Sequence, residues 1–363
     1  MFDSFLGNAA IVAAVRQMLG ENRLPQTLLF SGPEGAGKAT LARLIAAALN
    51  CKGDNTGAPC GACHSCRRIL AADLSLAEYQ KLFEERAKTP PEKRRESPLV
   101  ISTHPDFLTF PPDGPLSQIS IDQVRKLKEY AQFGPAEGRR RLFLVDHADR
   151  IDLPAANSLL KTLEEPPGYL TLVLTAENAY DLLPTIRSRC VPFYFAPLSA
   201  AELDQFLSAR KGISPSDRAK LRAWAKGSPG RAVAIDVTVY QKRREAMLAL
   251  VRAAMGASFG ELIRHTEAIA RSKQEKLELQ LDTLYDLLSD LAHLGPGAPP
   301  APLVNEDIRE DLAALASRLD FDWLENAVAQ VDELDRLARR NVQKQVALEA
   351  VAVGLRRAAP GRP

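Results

Sequence analysis

Short apolar runs alternate with helical periodicity through the first half of the chain. TLLF (27–30), FLTF (107–110), LFLV (142–145), TLVLT (171–175) and VPFYF (191–195) are compact stretches of strand-forming residues. Where they run without polar alternation, as LFLV does, they fit strands buried on both faces of a parallel sheet. Between them the period becomes helical. Leu41, Leu44, Ile45, Ala48 and Leu49 recur at i, i+3, i+4, i+7 and i+8 and mark one helix face. IDQVRKLKEYAQF (121–133) predicts a second helix, stopped by Gly134-Pro135, and AANSLLKTLEE (155–165) a third, ended by Pro166-Pro167. Strands alternating with helices predict an α/β domain with a parallel sheet over residues 1–195.

Beyond residue 196 the strand signals vanish. Ser199 and Glu202 are spaced as a capping box before a helix. A second helix runs to Trp224 and stops at Gly227; Ser228-Pro229 then reads as an N-cap followed by a first-turn proline. Residues 196–241 are therefore predicted to form a small helical domain, and residues 242–363 a larger all-α one. In the latter, Leu324, Val328, Val331, Leu334, Leu337 and Val342 make an apolar stripe, LGPGAPPAP (294–302) punctuates with a loop, and the AAPGRP tail is expected to fray. The charged stretch QKLFEERAKTPPEKRRES (80–97) reads as a solvated, mobile insertion.

Composition narrows the partners. At 363 residues the chain suits two or three domains of about 150 residues each. With 46% hydrophobic and 25% charged residues it has the make-up of a soluble protein with a core. A net charge of +2 gives no global field for nucleic acid or an anionic membrane. No apolar run approaches the ~20 residues of a membrane span, and the start MFDSFLGNAA lacks a signal-peptide pattern. The expected location is the cytoplasm. There, four cysteines within sixteen residues, Cys51, Cys60, Cys63 and Cys66, point to a metal rather than to disulfides. Four thiolates close a tetrahedral Zn²⁺ site and leave no open position, so the module at 51–66 is expected to be structural; His64 is a weaker rival ligand.

The stretch GPEGAGKAT (32–40) has the G-x-x-x-x-G-K spacing of a phosphate loop, set between a strand and a helix. Gly32, Gly35 and Gly37 let backbone N–H groups face a phosphate, and Lys38 adds a charge. The next position, normally a Mg²⁺-binding hydroxyl, is Ala39. Asp146, after LFLV, is placed to reach a nucleotide's metal, yet His147 stands where a hydrolase would carry glutamate. Both departures weaken metal-assisted hydrolysis. Bound ATP or ADP stays open as a passive occupant. Arg187 and Arg189, before the last strand, read as solvated charges from spacing alone, whereas Arg231, a cation set against the dipole in the first turn of a helix, reads equally as facing an anion or as an exposed arginine.

GPEGAGKAT, the four-cysteine module, IDQVRKLKEYAQF, LFLVDHADRI, NSLLKTLEEPP and TIRSRC, in this order, resemble the bacterial clamp-loader subunits of the AAA+ superfamily over nearly the whole chain. The resemblance implies an α/β AAA+ P-loop domain, a small helical lid and an all-α collar that joins subunits into a ring. It implies that Lys38 is the phosphate lysine, Asp146 the metal-side carboxylate, Thr175 a polar sensor and Arg231 a lid-domain sensor. It assigns Arg189, in Ser-Arg-Cys, as an arginine finger for ATP bound to a neighbouring subunit, and leaves Cys190 to packing. The implied partners are the gamma/tau and delta subunits of DNA polymerase III, with the beta sliding clamp and primed DNA reached through the complex. Two alternatives remain at this stage: an ATP-hydrolysing motor subunit of the same machine, and a zinc-containing DNA-binding protein using Lys93-Arg94-Arg95 and Arg139-Arg140-Arg141.

Overall fold

The computed structural model describes residues 1–53, 57–256, 258–271, 277–338 and 344–357. Val342, the side chain of Leu337 and the AAPGRP tail lie outside the described residues. The chain divides into two compact units, Met1–Phe206 with Gly227–Arg231, and Leu207–Lys226 with Ala232–Pro363.

The first unit runs α1 (Ala9–Gly20), β1 (Thr27–Ser31), α2 (Lys38–Leu49), α3 (His64–Ala71), α4 (Ala77–Lys88), α5 (Pro91–Glu96), β2 (Ile101–His104), β3 (Phe107–Phe110), α6 (Ile121–Ala131), β4 (Arg141–Val145), α7 (Leu153–Glu164), β5 (Leu170–Ala176), α8 (Pro184–Arg187) and β6 (Val191–Tyr194). The strands form one sheet in the order β2-β3-β4-β5-β1-β6. All pairs are parallel except the antiparallel β2–β3 edge. Successive side chains of a strand point to opposite faces, and the core follows that rule. Leu28 and Phe30 of β1 join Leu142, Leu144 and Val173 in one cluster with α2. Leu29 joins Phe143, Val145, Leu172 and Leu174 in another, with α6 and α7. A sheet covered on both faces explains why β1, β4 and β5 are apolar without alternation.

Two local expectations change. β2 was not legible as a strand, because ISTH is short, polar and half-exposed at the sheet's edge. The charged stretch 80–97 falls largely in α4 and α5, which contribute no buried residue. It is tied down by the Arg86–Asp113 ion pair, whose side chains are mostly buried.

The second unit contains α10 (Pro215–Trp224) and the helices α12 (Val237–Met255), α13 (Phe259–Arg271), α14 (Leu277–Leu294), α15 (Arg309–Ala316), α16 (Phe321–Ala338) and α17 (Lys344–Arg357). The unit boundary falls within α9 (Ala200–Ser208) and α11 (Pro229–Ala234). One apolar core, including Leu284, Leu312, Trp323 and Leu348, fills the larger bundle. Trp323 Nε1 donates to the Leu355 carbonyl at 2.9 Å, so the indole's one donor is satisfied while its rings are buried. Among the described residues no helix is long and apolar enough to cross a membrane.

Candidate functional site

β1 ends at Ser31, and the loop turns into α2 through Gly37, its N-cap, at φ +94°. Gly35 sits at φ +73°, and a Cβ there would meet Ser228 Oγ at 2.4 Å and Arg231 N at 2.8 Å. Only glycine fits both the angle and the space. The approach is held by hydrogen bonds. Ser228 Oγ donates to Glu34 O at 2.6 Å, Gly230 N donates to Gly35 O at 2.9 Å, and Ser228 Oγ in turn accepts from Arg231 N at 3.2 Å. Arg231 is thereby carried, by its backbone, to the rim of the loop.

Lys38 is buried and turns back onto the loop, donating from Nζ to Gly32 O at 2.6 Å and Pro33 O at 2.7 Å. Burial lowers its pKa; the charges of Glu177, Asp146, Asp149 and Glu34 oppose that shift. Ala39 packs against the core, and Thr40, one position on, accepts from Arg43 Nη2 at 3.3 Å. At the tips of β4 and β5, Thr175 Oγ1 donates to Asp146 Oδ1 at 2.6 Å and accepts from His147 N at 2.9 Å. His147 takes left-handed backbone angles, φ +53°, with Nδ1 4.0 Å from Glu177 Oε1.

The cysteines converge elsewhere. The Sγ atoms of Cys51, Cys60, Cys63 and Cys66 all lie within 4.8 Å of one another, with Cys60 and Cys66 4.0 Å apart. Backbone N–H groups aim at the sulfurs: Gly53 and Cys60 at Cys51 (3.3 and 3.4 Å), Cys63 at Cys60 (3.3 Å), Cys66 at Cys63 (3.4 Å). For Cys63, burial opposes ionisation, but the N–H groups of Cys66 and Lys52 outweigh it and bring the thiol down to about 6. Burial pushes the Cys66 thiol up. Cys190, outside the cluster, is buried in the sheet core, and burial raises its thiol to about 12.

Arg189 lies at the opposite end of the sheet from the loop. Thr27, the first residue of β1, donates from Oγ1 to the Arg189 carbonyl at 2.6 Å. The guanidinium is partly exposed and pairs with Glu164, the last residue of α7. Nε donates to Glu164 Oε1 at 2.8 Å and Nη1 to Thr185 O at 2.8 Å. Arg187 instead stacks over the Tyr180 ring, 4.6 Å from its centroid.

Gly32, Gly35, Gly37, Lys38, Asp146 and Thr175 therefore gather at one end of β1, with Arg231 brought alongside and Arg189 at the other end. The cysteines form a separate cluster. Two contributors escaped the sequence: Glu164, which pairs with Arg189, and Asp106, whose buried carboxylate accepts from the N–H groups of Ala136, Glu137 and Gly138 at 2.7, 2.9 and 2.6 Å; Ser228, read there only as a helix cap, also clasps the loop. Three of the six side chains of the basic clusters bond within the chain. Arg141 is buried and donates to Phe133 O at 3.0 Å, Arg139 donates to Cys51 O at 2.7 Å, and Arg94 to Thr89 O at 2.6 Å.

A mostly parallel sheet in which β1, flanked by β5 and β6, passes through a glycine loop into a lysine-led helix, with a carboxylate at the tip of β4 on the far side of β5, defines the P-loop class of α/β domains. Residues 7–199 match the family described as DNA polymerase III, delta subunit, and residues 239–355 match DNA polymerase III, delta subunit, C terminal. The chain belongs to this family of clamp-loader proteins. Curated relatives include DNA polymerase III subunit tau/gamma of Haemophilus influenzae, 31% identical over 62% of this chain and 29% of its own. Another is DNA polymerase III subunit tau of Escherichia coli, 29% identical over 56% of this chain and 26% of its own. The chain thus spans less than a third of the length of these relatives. A solved gamma subunit-related protein of Thermotoga maritima aligns over 95% of this chain and 98% of its own, at 15% identity and TM-score 0.44.

Proposed function

We propose that this chain is the delta-prime subunit of a DNA polymerase III clamp loader, and that it turns over no ATP of its own. It acts beside gamma/tau and delta, helping to open the beta sliding clamp and seat it on primed DNA in the cytoplasm. Its AAA+ domain (1–195), lid (196–241) and collar (242–363) serve as ring framework. Arg189 acts in trans, completing the ATP site of a neighbouring subunit.

One observation carries this reading: Arg189 and the loop are fixed to opposite ends of β1. Five residues of strand span about 13 Å from first to last, so the guanidinium cannot serve its own chain's loop. A guanidinium supplied in trans is worth about 10³–10⁵ in rate in phosphoryl transfer. The loop supports the same reading. Ala39 offers no hydroxyl to Mg²⁺, His147 replaces the glutamate that orients water, and Lys38 is bonded to the loop itself. In this account Lys38, Asp146, Thr175 and Arg231 are inherited positions around a pocket in which ATP or ADP is at most a passive occupant.

Zn²⁺ fits the cysteine cluster. Tetrahedral thiolates about 2.3 Å from the metal stand about 3.8 Å from one another, close to the 4.0 Å separation of Cys60 and Cys66, and the N–H donors suit thiolate sulfurs. The four cysteines would hold it as a staple between the end of α2 and α3. About one zinc per chain is expected by elemental analysis, falling to none in Cys66→Ser.

The relatives named tau and gamma favour a second reading, a motor subunit with its own ATPase. Phosphate release by the purified chain with Mg-ATP separates the two. The delta-prime reading predicts none, whereas steady turnover abolished by Lys38→Ala establishes the motor.

A further inference from the structure

Arg189 is not held ready in open solvent. Each of its three guanidinium nitrogens has a partner in its own chain. Nε donates to Glu164 Oε1 at 2.8 Å and Nη2 reaches the same oxygen, while Nη1 donates to Thr185 O at 2.8 Å and lies 3.4 Å from Ser188 Oγ. The Nε–Nη2 edge is one of the two-donor forks with which arginine grips a phosphate or a carboxylate. It cannot make both grips in full at once.

The location of Glu164 adds a second observation. It is the last residue of α7, where the helix dipole disfavours a negative side chain. The Arg189 charge compensates for that placement. Both side chains are partly exposed, at 31% for Arg189 and 46% for Glu164. Water therefore screens the pair, and it is weak enough to exchange. A terminal phosphate carries more charge and more acceptor oxygens than a carboxylate, so it wins the fork when it is within reach.

We propose that Glu164 is a positioning residue that latches Arg189: it holds and neutralises the guanidinium until a neighbour's nucleotide phosphate displaces it. This rests on the reading of Arg189 as a trans finger. The latch lowers the fraction of Arg189 available to the neighbouring site, and so lowers ATP turnover before the complex is fully assembled on its substrate.

The test is steady-state ATP turnover, without clamp or DNA, by a loader reconstituted with gamma/tau and delta. Glu164→Gln keeps the size and removes the charge. It should raise turnover about two- to fivefold at low salt, the range that a partly exposed ion pair allows. The ratio to wild type should fall toward one as salt is added. On an Arg189→Ala background the same substitution should change nothing, and Glu164→Asp should stay near wild type. Turnover by Glu164→Gln at or below wild type, with Arg189→Ala clearly impaired, overturns the latch and leaves the finger standing. Full turnover by Arg189→Ala overturns the finger reading itself.

Discussion

The two ends of β1 are built in opposite ways. At its C-terminal end the loop is closed in on itself: Lys38 is buried among backbone carbonyls, Gly35 is pressed against Ser228, and Asp146 is bonded to Thr175. At its N-terminal end Arg189 lies at the surface, held by a partly exposed carboxylate. The first arrangement has the contacts of framework, whose loss is felt in folding. The second has those of a surface group, which the proposed reading makes a tool whose loss is felt only where a partner uses it. On the proposed reading, a conspicuous motif and the working group do not coincide. Here the loop that announces nucleotide chemistry is the packed end, and an arginine indistinguishable by spacing from a solvated charge lies at the partly exposed one.

The contrast can be broken by showing that the Arg189 end of the sheet is soft throughout. Asp106 lies at that end, just before β3, and should show that it is not. Burial pushes its pKa up, but three backbone N–H donors outweigh that and hold it below the ordinary carboxylate value. A depressed folded pKa contributes stability that is present above the unfolded value of about 3.9 and is lost as pH falls through the folded value. Asp106→Asn should cost about 2–3 kcal/mol at neutral pH and flatten the acid limb of the urea-unfolding profile. An unchanged acid limb would remove Asp106 from the framework.

Gly35→Ala sharpens the comparison at the loop. With φ at +73° and Ser228 Oγ 2.4 Å from the new Cβ, it should destabilise by about 1–3 kcal/mol in the same measurement. Arg189→Ala should have the smallest effect on folding, about 0–1 kcal/mol, as for other exposed ion pairs. A larger loss would make Arg189 structural.

Much of the layered domain was legible because burial on both faces of a parallel sheet leaves a plain mark. FLTF is β3 as predicted, and the runs at 27–30, 142–145 and 171–175 each fall one residue or so short of the observed strands. The Ser199–Glu202 capping box forms as its spacing required. β2 gave no such mark, since its residues are mostly polar and it lies at an edge. The four cysteines were legible as a cluster because their ligand spacing is local. Glu164 and Asp106 were not: they lie 25 residues from Arg189 and 30 to 32 residues from the donor N–H groups, and nothing local to a carboxylate says which donors the fold will bring to it. Ser228 was read as a helix cap, and it does cap Arg231 N. Its grip on Glu34 crosses 194 residues and had no local signal.

The most direct test is ATP turnover by the assembled loader carrying Arg189→Ala in this chain alone, with subunit assembly checked beforehand. The predicted result is an intact complex whose served ATP site loses on the order of 10³-fold in rate. An intact complex that hydrolyses ATP at the wild-type rate would contradict the account.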